Sequence, residues 1–434
     1  MVRVSGIIWY YEAVVLQGDA NRMGQIVSLR CIGCGKEYAP DALEYTCPDC
    51  GPRRGTLEVL YDYESLKRTL TKETFRTDNE CSMWRYLSLL PIEDRRFIQP
   101  LRVGWTPLYA FPDLAADYGL KSLFIKDDGQ NPTASYKDRA SSVVVIKAQE
   151  KGRKVVTCAS TGNAASSLAG FAAATDLETI IFVPESAPEA KVAQLLIYGA
   201  KVFLVKGSYD VAYDLASEAA EAFGWYNRSA AVNPYLVEGK KTGALELAEQ
   251  LRWEVPDAVL VGVGDGSVLS GVCKGFDELQ RLGLIDRLPR VIGVQAEGAA
   301  PIAKAFERYE GGEVVIEDVE AQTVADSICV GKPRDIVKAV TYVARNGGTF
   351  VTVSDQQIME AISILAKRTG VFAEPAGAAS FAGAVKLADA GGLAGKRAAV
   401  MVTGNGLKDV AAARKIVEAP IHVEPSLEAV KRSL

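Results

Sequence analysis

The stretch Asn131-Pro-Thr-Ala-Ser-Tyr-Lys137-Asp-Arg139 sets one lysine among small polar residues and two charges, just after the apolar run Leu123-Phe-Ile-Lys126. An amine whose pKa is lowered by desolvation or by neighbouring charge attacks carbonyls well and can form a Schiff base. The carbonyl that most often needs such an amine is that of pyridoxal phosphate. Taken alone, the stretch is equally an ordinary helix start with a solvated lysine. The chain has one histidine, His422, in a Pro-flanked segment near its C-terminus. Histidine triads and multi-histidine metal sites are thereby nearly excluded, and acid–base work falls to lysine, carboxylates, hydroxyls or a cofactor.

Four of the eight cysteines form two CxxC knuckles, Cys31-Ile-Gly-Cys34 and Cys47-Pro-Asp-Cys50, each followed by glycine. Tetrahedral zinc takes four thiolates at this spacing, so a structural zinc ribbon is expected, with a metal-free knuckle as the alternative. Such a site is closed and holds a module together without catalysing.

These residues need elements to position them. At 434 residues, 48% hydrophobic and 24% charged, the chain has room for two or three domains of ordinary globular composition. A net charge of -5 gives no support for nucleic-acid or membrane-surface binding. No apolar run reaches the roughly 18 residues that span a bilayer. The N-terminal MVRVSGIIWYYEAVVLQGD runs into acidic residues without a small-residue cleavage site, so a cytoplasmic location is expected.

Leu57 to about Gln99 reads as a helix-like connecting arm. An apolar helix is expected from about Ala140 to Glu150. Short β-branched runs then alternate with alanine-rich helical ones: Val155–Cys158, Ile180–Val183, Lys201–Val205, Ala258–Val261, Val291–Val294 and Ala398–Val402. That alternation predicts an α/β fold with parallel sheets, whose ligands lie beyond the carboxyl ends of the strands.

Three such ends carry chemistry. After Cys158 comes Ala159-Ser160-Thr161-Gly162-Asn163, where hydroxyls and free amides at a helix start suit a carboxylate or phosphate, or merely cap the helix. After Val261 comes Gly262-Val-Gly264-Asp265-Gly266-Ser267, whose glycines let backbone approach an anion. After Val402 comes Thr403-Gly404-Asn-Gly406, where a hydroxyl can meet a ring nitrogen without forcing its protonation.

Together these stretches, with Gly104-Trp-Thr-Pro-Leu108, Val237-Glu-Gly-Lys-Lys-Thr242, Gln295-Ala-Glu-Gly298, Val371-Phe-Ala-Glu-Pro-Ala376 and Thr403-Gly-Asn-Gly-Leu-Lys-Asp409, resemble the fold-type II pyridoxal-phosphate enzymes, the tryptophan synthase beta-like group. Among them the resemblance is closest to the threonine synthases. It implies two parallel-sheet domains: a large one over 81–150 and 236–420, and a small α/β one over 151–235. An N-terminal zinc-ribbon-like extension over 1–80 and a tail over 421–434 complete the expected organisation. Lys137 would be the Schiff-base lysine and proton shuttle. Asn163 would bond the cofactor's phenolic oxygen, Gly264, Asp265, Gly266 and Ser267 would hold its phosphate, and Thr403 would face the pyridine nitrogen. Ser160 and Thr161, with Asn163 and Ser135, would contact an amino-acid substrate. The implied reaction turns O-phosphohomoserine and water into threonine and phosphate, in a homodimer.

The chain departs from the family pattern at three places. Leu236 stands where an arginine helps hold the substrate's phosphate, Ala230-Ala231 replace Asn-Ser, and Ala134 replaces glycine before the lysine. Lys240, Lys154 or Arg334 are candidates for the missing charge. The departures keep open a serine or threonine dehydratase or a β-replacement enzyme of cysteate synthase type. A cofactor-free binder built on the fold is the reading from another class.

Overall fold

The structure, a computed structural model, describes residues 23–434; the N-terminal stretch read above for a cleavage site lies outside them. The first element is a small antiparallel sheet of β1 (Ile26–Cys31), β2 (Glu37–Tyr38) and β3 (Leu57–Tyr61), in the order β2-β1-β3. Here one expectation is corrected, because Leu57 begins a strand and not a helical arm. Leu57, Val59 and Tyr61 recur at period two and are all buried, and Leu57 lies opposite Cys31. Helical material follows only from Tyr63, including a kinked 3-10 segment over Met83–Leu89 and a short 3-10 turn over Arg95–Phe97.

The chain then runs through β4 (Leu108–Ala110), β5 (Ser122–Asp127), α1 (Lys137–Glu150), β6 (Val155–Ala159), α2 (Asn163–Ala172), β7 (Glu178–Pro184), α3 (Glu189–Ile197), β8 (Lys201–Val205), α4 (Tyr209–Phe223) and β9 (Tyr226–Asn227). It continues through α5 (Tyr235–Gln250), β10 (Ala258–Gly262), α6 (Ser267–Arg281), β11 (Arg290–Ala296), α7 (Ile336–Arg345), β12 (Thr349–Val353), α8 (Asp355–Thr369), α9 (Pro375–Asp389) and β13 (Arg397–Val402). Six strands form one sheet in the order β12-β11-β10-β13-β5-β4, parallel except for the edge strand β4. Four form a second, wholly parallel sheet, β8-β7-β6-β9.

Every β-branched run expected to be a strand is one. Strands β4, β9 and β12 were not expected, although Thr349-Phe-Val-Thr-Val353 satisfies the same composition rule. Helices cover both faces of the larger sheet, so its central strand β10 is buried throughout. Helix α5 is enclosed from Tyr235 to Ala248, packed against α1 and α6, and its four buried charged residues must find partners inside the protein. Leu236, on its first turn, is fully buried in an apolar cluster with Val144, Ile146 and Tyr235. His422 is exposed in the tail.

Candidate functional site

Lys137 is the first residue of α1, and the loop before it is held by side chains. Asp138 accepts from the Thr133 amide at 2.6 Å and from the Thr133 hydroxyl, closing the turn in which Ala134 sits at φ 64°. The family's glycine at that position is explained by this left-handed backbone, which costs an alanine roughly 1–2 kcal/mol. Two residues after Lys137, Arg139 is wholly buried: its Nε donates to Asp128 at 2.7 Å, and its Nη2 to Glu246 of α5 at 2.8 Å. Lys126 at the end of β5 also reaches Glu246, at 2.8 Å. This network ties α1, β5 and α5 together and fixes where Lys137 emerges.

Lys137 lines a cavity of about 680 Å³ that takes its wall from the strand ends of both sheets. Ser160, Thr161 and Asn163 after β6, Gly264, Asp265, Gly266 and Ser267 after β10, and Thr403 after β13 all line it. Ser135 does not: it is fully buried, its Oγ has no partner, and its backbone bridges to Gly404. Helices α2 and α6 both open without a side-chain cap, so their first amides stay available to an anion. Two glycines of the second loop are required by geometry. A Cβ on Gly264 would lie 2.9 Å from the Ile328 Cα, and Gly266 has φ 97°.

The charges around the cavity are unusual for what they lack. Lys240 of α5 donates to the Ser267 hydroxyl at 2.6 Å, which sets its amine at the glycine loop. Burial, reinforced by Lys137 and Arg228, holds its pKa well below the lysine range. Burial also lowers that of Lys137, with Arg228 adding to the effect and Glu374 and Asp265 opposing it. Glu374, the N-cap residue of α9, accepts from Asn163 Nδ2 at 2.8 Å, and burial raises its carboxyl to about 7. Asp265 is raised to about 6 by burial, although it accepts from the Arg334 amide at 2.7 Å.

A phosphate, a phenol and an amine-reactive carbonyl all find complements here. The glycine cradle with Lys240 suits the first, Asn163 the second and Lys137 the third. Thr403 offers the hydroxyl expected at a ring nitrogen. Of the three cations considered for the charge missing at position 236, Lys240 and Arg334 line the cavity, whereas Lys154 is exposed and outside it.

In the N-terminal module, the ligand atoms of Cys31, Cys34, Cys47 and Cys50 lie within 4.8 Å of one another. The Cys34 and Cys47 sulfurs are 3.9 Å apart, close to the roughly 3.8 Å edge of a tetrahedron with Zn–S bonds of about 2.3 Å. The helical turn after Cys50 grips the body. Arg53 donates to Asp318 at 2.8 Å and to the Pro333 carbonyl at 3.2 Å, and Arg54 donates to the Val314 carbonyl at 3.2 Å. Residues 319–321 and 326–332 of that gripped segment line the cavity.

Sequence reasoning overlooked two cavity residues. Glu374 lay inside a quoted motif, and its Glu-Pro start to a helix was the available signal. Arg228 follows β9, a two-residue strand too short to register, so the rule of searching beyond strand ends was never applied there.

Residues 100–404 match the family described as pyridoxal-phosphate dependent enzyme. The chain is 42% identical to the threonine synthase of Methanocaldococcus jannaschii over 407 residues, covering 93% of this chain and 98% of that one. It is 38% identical to the threonine synthase of Methanosarcina acetivorans over 409 residues, covering 94% and 98%. Among solved structures, the processed form of threonine deaminase isoform 2 from Solanum lycopersicum superposes with TM-score 0.63 at 22% identity, over 75% of this chain and 89% of that one, a likeness of fold.

Proposed function

This chain belongs to the pyridoxal-phosphate dependent enzymes, and from that premise we propose that it is a lyase of threonine synthase type, converting O-phosphohomoserine and water to threonine and phosphate. The observation that carries the reading is the joining of Lys137, Asn163, the Gly264–Ser267 loop and Thr403 in one cavity wall, from four separate stretches of sequence. When bound, the cofactor supplies an electron sink for charge developing at the substrate carbons.

The protein's own residues do the rest. Lys137, its amine already displaced toward the neutral form, takes up and returns protons at the substrate's α and β carbons. Lys240 and the free amides of α6 hold the cofactor's phosphate. Asn163, fixed by Glu374, orients the ring oxygen, and Ser160 and Thr161 with the first amides of α2 take the substrate carboxylate. The dehydratase or β-replacement alternative rested on the departures at Leu236 and Ala230; Leu236 belongs to the apolar core, while Arg228, Lys240, Lys332 and Arg334 line the cavity beside Lys137.

Purified protein should absorb near the imine band, lose that band in Lys137→Ala, and release phosphate together with threonine from O-phosphohomoserine. A colourless protein, or one giving oxoacid from serine and no threonine, would overturn the proposal. Structural zinc at the four cysteines and a homodimeric assembly are further parts of it, the second resting on the family alone. Metal analysis and light scattering check them. A cytoplasmic location follows from the biosynthetic reaction and is tested by fractionation.

A further inference from the structure

The cavity wall holds two buried basic side chains, Lys240 and Arg228, that form no ion pair among the described residues, whereas a single bound cofactor carries one phosphate. Lys240, 2.6 Å from Ser267, already stands at the glycine loop. Arg228 stands apart from it, on the segment leaving the smaller sheet. Its backbone amide donates to Thr157 at 2.8 Å, and its Nε donates to Ser141 of α1 at 3.1 Å. Those two bonds fix the guanidinium from behind. The residue is 1% exposed, its Nη2 has no hydrogen-bond partner, and it lines the cavity with Lys137, Cys158 and Ser160. Among the described residues it forms no ion pair, in contrast to Arg139, which is equally buried and meets two carboxylates.

A buried guanidinium with an unpartnered nitrogen beside a cavity is costly unless an anion meets it. Planar, bidentate donors of this kind match the oxygens of a phosphate monoester. We propose that Arg228 reads a second phosphate in this cavity, that of an O-phosphorylated amino-acid substrate, and so performs the task for which position 236 offers only leucine. The inference rests on the preceding reading of the active site and specifies how that site selects its substrate. Leu236, facing the apolar cluster on the first turn of α5, has no part in it. Serine, which lacks the phosphate, gains nothing from Arg228 and should be handled alike with or without it.

The test uses holoenzyme, with the cofactor's own phosphate site filled, and inorganic phosphate as the probe, titrated by calorimetry and by competition with substrate. Wild type should bind phosphate competitively with O-phosphohomoserine. Arg228→Gln should keep its cofactor absorbance, lose that phosphate binding, and raise KM for O-phosphohomoserine on the order of 100-fold with a much smaller change in kcat, the loss of charge-assisted bonds to a dianion. Arg228→Lys, which keeps the charge without the fork, should recover part of the loss.

Unchanged phosphate binding and KM in Arg228→Gln would overturn the inference and leave the threonine synthase reading standing. Phosphate binding through Arg228 in a protein that makes no threonine would do the reverse. If Arg228→Gln fails to hold cofactor, Arg228→Lys decides: full cofactor with KM raised about tenfold supports the inference, and wild-type KM or loss of cofactor overturns it.

Discussion

Burial holds the Glu374 carboxyl at about 7, against an ordinary value of 4.5, even though Lys137, Lys408 and Asn163 pull the other way. Because the folded value is the higher one, the stabilising contribution is complete below the unfolded pKa and disappears as pH rises through about 7. The difference amounts to roughly 3 kcal/mol across that window. Cofactor-free protein should therefore melt at progressively lower temperature from pH 5 to 8, and Glu374→Gln should flatten that slope. Melting curves on both proteins check this, and an identical slope in the variant removes Glu374 as its source. At this scale the sequence was readable where residue type and place beyond a strand end sufficed to single out a position, as with Lys137, Asn163 and Thr403, which line one cavity. It was not readable where burial decides, since Glu374 and Arg228 look like any surface charge until their surroundings are known.

Helix α1 depends on a partner more than a hundred residues away. Arg139 and Lys126 converge on Glu246 of α5, and all three are wholly buried. Removing one member leaves uncompensated charge, a loss of about 3–5 kcal/mol. Glu246→Ala should therefore lower stability by that order in denaturant titrations and weaken cofactor retention, because the start of α1 carries Lys137. A variant as stable as wild type would contradict the anchoring role. The cysteine module is a second such element. Cys31→Ser should abolish a metal content near one per chain. Because Arg53 and Arg54 hold a segment that lines the cavity, chelation should also raise KM a few-fold; KM indifferent to chelation would separate module from site. The knuckle itself was legible from local spacing. Its docking and the strand nature of Leu57–Tyr61 were not, because β3 is defined by pairing with β1.

Across the whole molecule the cavity lies where the two sheets meet, and charged pairs link their flanks. Lys191 of α3 pairs with Asp326, and Arg334 and Lys332 both reach Asp210 of α4 at 3.7 Å. We propose that 151–235 forms one domain and 81–150 with 236–420 the other, since each carries one of the two parallel sheets. Exposed pairs contribute at most about 1 kcal/mol, so Lys191→Ala should change KM by less than about fivefold and leave Tm within about 2 °C. A large fall in Tm would show the pair to be structural.

What the sequence determined by itself is the succession of strand ends and the chemistry placed at each, because a β-branched run and the glycines, hydroxyls or lysine beyond it are neighbours along the chain. The tertiary structure alone decided which charges remain free. Lys240 and Lys241 are adjacent on α5, yet Lys241 donates to Glu238 at 2.6 Å and to Glu278 at 3.0 Å while Lys240 meets a hydroxyl and the cavity. One residue turns a helix by about 100°, and in a helix enclosed on every side that rotation separates a lysine in a structural ion pair from one that lines the cavity. Arg139 and Arg228 differ in the same way: one is closed by carboxylates from distant segments, and the other is left open.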